Sequence, residues 1–243
     1  MDLDNSNIKT ITLVDQVEEQ ILSYIILNRL TAGNEIPSEL FLTEKFDVGR
    51  NVVREALSRL RMLGIVESRK HKGMVLREPN VMKCFSKVVN PYMLSKKTIL
   101  DLLVFRTSLE IGISELIIEN ITDEDISELE VIVAKQIYQE DMKLKVEHEI
   151  EFHSKIYKIT DNQAIIDFQQ MVIPLFNFVN QNFEDFKIFN KENKKKDQLI
   201  KHEDLLKFLK DKDTEGYRRA ITAHLKAYSQ YSKQAKVKSF TER

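Results

Sequence analysis

The sequence predicts a mainly α protein in two parts: a small N-terminal unit of three helices with a β-hairpin, and a larger all-α bundle. Three observations predict this. The chain has 243 residues, enough for two modest cores. It holds only 6 Gly and 4 Pro. Its 42% hydrophobic and 31% charged residues suit a helical globular protein better than a turn-rich β protein or a disordered chain.

Residues 11–30, "ITLVDQVEEQILSYIILNRL", set Val14, Val17, Ile21, Ile25 and Leu27 close to one stripe, which predicts the first helix. "TAGNEIP" breaks the pattern, and Ser38 with Glu39 opens a second helix, "SELFLTEKF". "DVG" is a turn before a third helix from Arg50 to Leu63, with Val53, Ala56, Leu57, Leu60 and Leu63 inward and Gly64 as its stop. "IVESR" and "GMVLRE" flank "KHKG" and read as a hairpin with Gly73 near its turn. Pro79 and Pro91 mark a linker containing a short helix. Long amphipathic helices are expected at 98–119, 123–139, 142–159, 162–190, 194–210 and 214–232, with no strand. The domains are therefore drawn as 8–78, a linker at 79–95, and 96–235. The run "KENKKK" reads as a solvated loop or helix start.

The formal net charge of −1 gives no whole-molecule case for a nucleic-acid or membrane partner. A single cysteine, Cys84, admits no intramolecular disulfide and suits a reducing compartment. "MDLDNSNIKT" is polar and acidic where a signal peptide needs a basic start and an apolar run, so the expected location is the cytoplasm, with no membrane partner.

Two helices joined by a tight turn and followed by a hairpin describe a winged helix-turn-helix, whose second helix enters the DNA major groove. Arg50, Asn51 and Arg54 point out from the first turns of that helix. Arginine's planar fork of donors fits guanine or a phosphate. Residues 48–77 carry eight basic side chains against Glu55 and Glu67, a local charge of +6 that the whole-chain value hides. The wing tip, "RKHKG", is placed to reach a phosphate or the minor groove. A plain solvated helix start is the alternative reading of the two arginines taken alone.

"IPSELFLTEKFDVGRNVVREALSRLRMLGIVESRKHKGMVL" resembles the N-terminal domain of the GntR family of bacterial transcription regulators. The resemblance implies that Arg50 and Arg54 contact operator DNA and that His71, Lys72 and Gly73 form the wing tip. Leu40 stands where relatives often carry an arginine, so a contact they use is missing here.

In the second part, Glu149 and His153 lie at i, i+4 on one helix and can grip one metal ion, whereas His148 lies about 140° round the wheel. His202 and His224 fall on the last two helices, equidistant from a reversal near Asp213, so an antiparallel pair brings them level. Three imidazoles and a carboxylate suit Zn²⁺, Ni²⁺, Mn²⁺ or Fe²⁺. The alternative for each histidine is a hydrogen-bonded core residue. "FRTSLE", "EFHSKIYKITDN" and "KHEDLLKFLKDKDTEGYRRAITAHL" resemble the FadR C-terminal ligand-binding domain. That resemblance maps the metal ligands onto Glu149, His153, His202 and His224, with Glu149 where most members have Asp.

Arg106 and Glu110, at i, i+4, read from the sequence as a surface ion pair. The resemblance makes Arg106 the anchor for a small carboxylic acid whose other oxygen binds the metal. Asn177 and Asn180, in the apolar "VIPLFNFVNQNF", are candidates for further hydrogen bonds to that effector, or surface positions. The resulting expectation is a homodimeric DNA-binding repressor responding to a sugar acid, hydroxy acid or dicarboxylate, and not an enzyme. Two rivals remain: a metal-dependent hydrolase, and a metal that serves only structure and dimerisation.

Overall fold

The computed structural model describes residues 11–137, 142–189 and 200–241. The chain divides into two compact units, with the boundary between Cys84 and Phe85.

The first unit runs α1 (Leu13–Leu27), α2 (Glu39–Phe46), α3 (Arg50–Met62), β1 (Val66–Arg69) and β2 (Gly73–Leu76), and α4 (Val81–Ser86) follows. Thr12 caps α1 in a reciprocal box with Asp15, and Ser38 caps α2 through the Phe41 amide. Val17, Ile21 and Ile25 of α1 meet Val53, Ala56, Leu57 and Leu60 of α3 in one core. Helix α1 is shorter than the 11–30 segment expected to be helical. The Asn28 side chain donates to the Tyr24 carbonyl and Arg29 turns to positive φ, which ends it. Leu63, expected inward, is 41% exposed because α3 stops at Met62 and Leu63 is its C-cap.

The hairpin pairs Val66 with Leu76 and Arg69 with Gly73, leaving Lys70, His71 and Lys72 as the tip. Residues 33–36, read in sequence as a breaker, line the free edge of β2. The Gly33 amide donates to Leu76 O at 2.8 Å, the Leu76 amide to Asn34 O at 2.8 Å, and the Ile36 amide to Met74 O at 2.9 Å. This pairing anchors the wing to the helical core.

The second unit contains α5 (Lys96–Gly112), α6 (Ser114–Asn120), α7 (Asp123–Ile137), α8 (Met142–Ile159), α9 (Gln163–Asn182), α10 (His202–Lys210), α11 (Thr214–His224) and α12 (Lys226–Thr241). Residues 184–189 are also helical. Ile99, Leu100 and Leu103 of α5 pack on Leu175, Phe176 and Val179 of α9, with Phe186 and Tyr231 closing the cluster.

Three helices expected to be continuous are interrupted. The 98–119 helix breaks at Ile113, where Gly112 has low helix propensity and the Ser114 hydroxyl donates to the Ile111 carbonyl. The 162–190 helix breaks at Phe183, after Asn180 and Asn182 turn their amides back onto the carbonyls of Phe176 and Phe178. The 214–232 helix breaks at Leu225, immediately after His224. Residues 138–139 and 194–199 of the expected helices, and the "KENKKK" run, lie outside the described residues.

Candidate metal centre and nucleic-acid interface

Helix α3 starts at Gly49, which offers no side-chain cap and leaves the first amides of the helix without one. Arg50, Asn51 and Arg54 are all exposed there. Arg54 Nε donates to Glu39 Oε2 at 3.0 Å, and Arg50 Nε lies 3.9 Å from the same oxygen. One carboxylate in the first turn of α2 therefore restrains both arginines. His71, Lys72 and Gly73 are exposed at the hairpin tip, with His71 and Gly73 at positive φ and the Lys72 amide donating to Arg69 O. Not every basic residue counted in 48–77 serves this surface. Arg59 is drawn towards α1 by Asp15 at 2.6 Å and Glu18 at 3.6 Å, and Arg69 and Arg77 share Glu67. Leu40 is 61% exposed.

In the bundle, Glu149 and His153 of α8 meet His202, the first residue of α10, and His224, the last of α11. One ligand atom from each lies within 4.8 Å of the others. Glu149 Oε2 is 3.5 Å from His153 Nε2, 3.4 Å from His202 Nε2 and 3.7 Å from His224 Nε2, and the Nε2 atoms of His224 and His153 are 3.3 Å apart. Ligands about 2.1 Å from a tetrahedral ion stand roughly 3.4 Å apart, so these separations fit a divalent cation. His148 faces Glu151 instead, outside the cluster.

The imidazoles are oriented from behind. His153 Nδ1 donates to Glu110 Oε1, and His224 Nδ1 donates to the Ile200 carbonyl at 2.9 Å. Neither partner can donate, so each ring holds its proton on Nδ1 and, when neutral, turns a bare Nε2 lone pair inward. Two lone pairs 3.3 Å apart, facing a carboxylate, repel one another unless a cation lies between them. The His202 ring stacks on Phe152, with centroids 4.0 Å apart. Burial pushes its pKa down to about 4, which keeps it neutral and able to bind a metal near pH 7. Burial opposes the charge of Glu149, yet His202 and the other imidazoles hold its carboxyl well below the usual range. Burial likewise acts to lower His153, but the neighbouring Glu110 carboxylate raises it overall.

Arg106 is buried rather than on the surface, as is Glu110. Arg106 Nη2 lies 3.3 Å from Glu110 Oε2, and Arg106 Nε donates to Gln169 Oε1 at 3.2 Å. The guanidinium sits over the Phe176 ring, 5.1 Å from its centroid. It borders a narrow cavity lined also by Ile150, Gln169, Val172, Ile173 and Phe176. Asn177 is half-buried on α9 outside that lining, and Asn180 donates to the Phe176 carbonyl.

Residues 13–76 match the family described as bacterial regulatory proteins, gntR family, and residues 101–227, just over half of the chain, match the FCD domain. The chain belongs to the GntR family.

Relatives of this GntR-family chain include the HTH-type transcriptional regulator LutR of Bacillus subtilis, 28% identical over 56% of this chain and 63% of LutR. The Exu regulon transcriptional regulator of Escherichia coli K12 is 29% identical over 55% of this chain and 51% of its own length. These alignments thus span less than two thirds of either relative. The repressor NanR of Klebsiella aerogenes is 24% identical over 89% of this chain and 84% of its own. The solved structure of Streptococcus agalactiae GntR shares the fold at a TM-score of 0.50, with 22% identity, covering 90% of this chain and 99% of that one. The GntR family is one of transcriptional regulators, so the chain is not a hydrolase. Among the described residues, no helix is long and apolar enough to cross a membrane.

Sequence reasoning missed the residues standing behind the ligands: Glu110, the Ile200 carbonyl, the Phe152 ring and Gln169. The only available signal was the spacing of Arg106 and Glu110, which does not reveal burial.

Proposed function

We propose that this GntR-family protein is a homodimeric transcriptional repressor whose FCD domain senses a small carboxylic acid at a divalent metal ion. In this reading residues 8–78 bind double-stranded operator DNA, 79–95 link, and 96–235 bind effector and dimerise. The observation that carries it is the convergence of Glu149, His153, His202 and His224, linked through Glu110 to the buried cation of Arg106. The four residues supply a first coordination shell for Zn²⁺, Ni²⁺, Mn²⁺ or Fe²⁺, whose choice depends on cellular availability. The ion would supply a Lewis-acidic position for one oxygen of a sugar acid, hydroxy acid or dicarboxylate.

The chain's own residues do the rest. Arg106 offers a fork of donors to a carboxylate, with Phe176 and Val172 as apolar walls. Asn177, one turn beyond Ile173 on α9, is proposed as a further effector contact for acids long enough to reach it. On the DNA side, Arg50, Asn51 and Arg54 meet base edges and phosphates, and His71, Lys72 and Gly73 address the flanking backbone. The name of the Klebsiella aerogenes relative, a repressor, supports the sign of regulation. Binding of the acid shifts the dimer between arrangements that fit and misfit two half-sites, in proportion to its differential affinity for them.

The test is selection of bound sequences from random duplex DNA, followed by titration of the winning site. Binding of an inverted repeat by the wild type, weakened about 10- to 100-fold in Arg54→Ala, is the expected result. Unchanged affinity in that variant excludes α3 as the reading helix.

A further inference from the structure

One carboxylate in the bundle serves two masters. Glu110 is fully buried on α5, and its two oxygens face different partners: Oε1 accepts from His153 Nδ1 on α8, and Oε2 faces Arg106 Nη2 at 3.3 Å. Gln169 on α9 holds the other side of the guanidinium. The four residues form a single file across three helices, from the metal-facing imidazole to the cavity beside Phe176. The other outward-braced imidazole, His224, rests on a neutral backbone carbonyl.

We propose that Glu110 is a positioning residue that couples the metal site to the anion site, so that an anion on Arg106 tightens metal binding through His153. The inference rests on the four-ligand cluster being a metal site. A carboxylate behind an imidazole fixes its tautomer and increases the electron density on the inward nitrogen, which strengthens that ligand. Arg106 draws on the same carboxylate and weakens this support. An anion that takes up part of the guanidinium's charge returns Glu110 to His153. The coupling is reciprocal by linkage, so a metal ion on His153 also raises the affinity of the anion site. It acts in addition to any direct contact between the acid and the ion.

The experiment is a set of Co²⁺ affinities by competition with a chelating dye, on full-length wild type, Glu110→Gln and Arg106→Gln, with no acid present. Loss of the carboxylate charge should weaken binding about 10- to 100-fold. Loss of the arginine charge should tighten binding, because Glu110 then serves His153 alone. General damage to the bundle weakens both variants, so the opposite signs separate coupling from loss of structure. In the Glu110→Gln background the arginine change should have no effect of its own. Affinity of Glu110→Gln within threefold of wild type overturns the inference, as does unchanged or weaker binding in Arg106→Gln. If Glu110→Gln does not fold, the sign of the Arg106→Gln effect alone decides. If the wild type binds no Co²⁺ and no Zn²⁺, the metal reading itself fails.

Discussion

His202 and His224 are 22 residues apart, yet their rings lie 4.8 Å apart, centroid to centroid. The turn between α10 and α11 produces this. Asp213 caps α11 by accepting from the Gly216 amide at 2.9 Å, and Lys212 takes a positive φ. A β-carbon at Gly216 would overlap both the Asp213 carboxylate and the Phe208 ring.

Gly216→Ala should therefore force α10 and α11 apart at the turn. The expected cost is about 1–3 kcal/mol of unfolding free energy, as for overpacked core positions. Denaturant melts of the metal-free protein measure it, and metal affinity should fall with it as His202 and His224 lose register.

Asp125 ties α7 to α8, the helix that carries Glu149 and His153. It forms a capping box with Thr122 and an ion pair with Lys155 at 2.7 Å. Partial burial acts to raise its pKa, but the bonds from Lys155 and Thr122 outweigh this and lower it. A carboxyl whose folded pKa is depressed contributes stability that is complete above its unfolded value, near 3.8, and is lost as pH falls through the lower folded value. Asp125→Asn should lose about 1 kcal/mol at pH 7. Wild type and variant should converge in stability at the acid end of a pH series of melts.

The wing and the reading helix should differ in their salt response. Lys72→Ala should weaken binding to all duplexes alike and reduce the salt slope by about one. Arg54→Ala should cost about 1–3 kcal/mol and relax sequence preference. Glu39→Gln frees both arginines and should lower discrimination between operator and random DNA more than it lowers affinity. Fluorescence anisotropy at several salt concentrations separates the three.

Much of the fold was legible because its signals are local. Gly64 and Gly73 both take positive φ where the third helix stops and the wing turns, and α3 buries four of the five residues its period selects. Spacing alone pairs Glu149 with His153 at i, i+4 on α8, and His202 with His224 across the symmetric reversal at Asp213, while the meeting of the two pairs was implied only by the resemblance. What escaped was set by tertiary context. Glu35 and Ile36 join the sheet because β2 has a free edge, and no pattern in "TAGNEIP" announces it. Arg106 and Glu110 have the spacing of a surface ion pair, and only the packing of α8 and α9 over them makes them a buried link. The break at Leu225 falls where His224 meets the Ile200 carbonyl just before α10, a long-range contact that local propensity does not encode.

Metal-dependent acid sensing by the bundle is open to direct test. The most direct measurement is a thermal-shift screen of the purified protein against sugar acids, hydroxy acids and dicarboxylates, each with added Zn²⁺ and with a chelator. A ligand of the native site raises stability by RT ln(1 + [L]/Kd), about 2.7 kcal/mol at a hundredfold excess over Kd. One acid should raise the melting temperature strongly with metal present, and the shift should vanish on chelation and in His202→Ala. A shift from metal alone, to which no acid adds, would contradict it and make the ion structural.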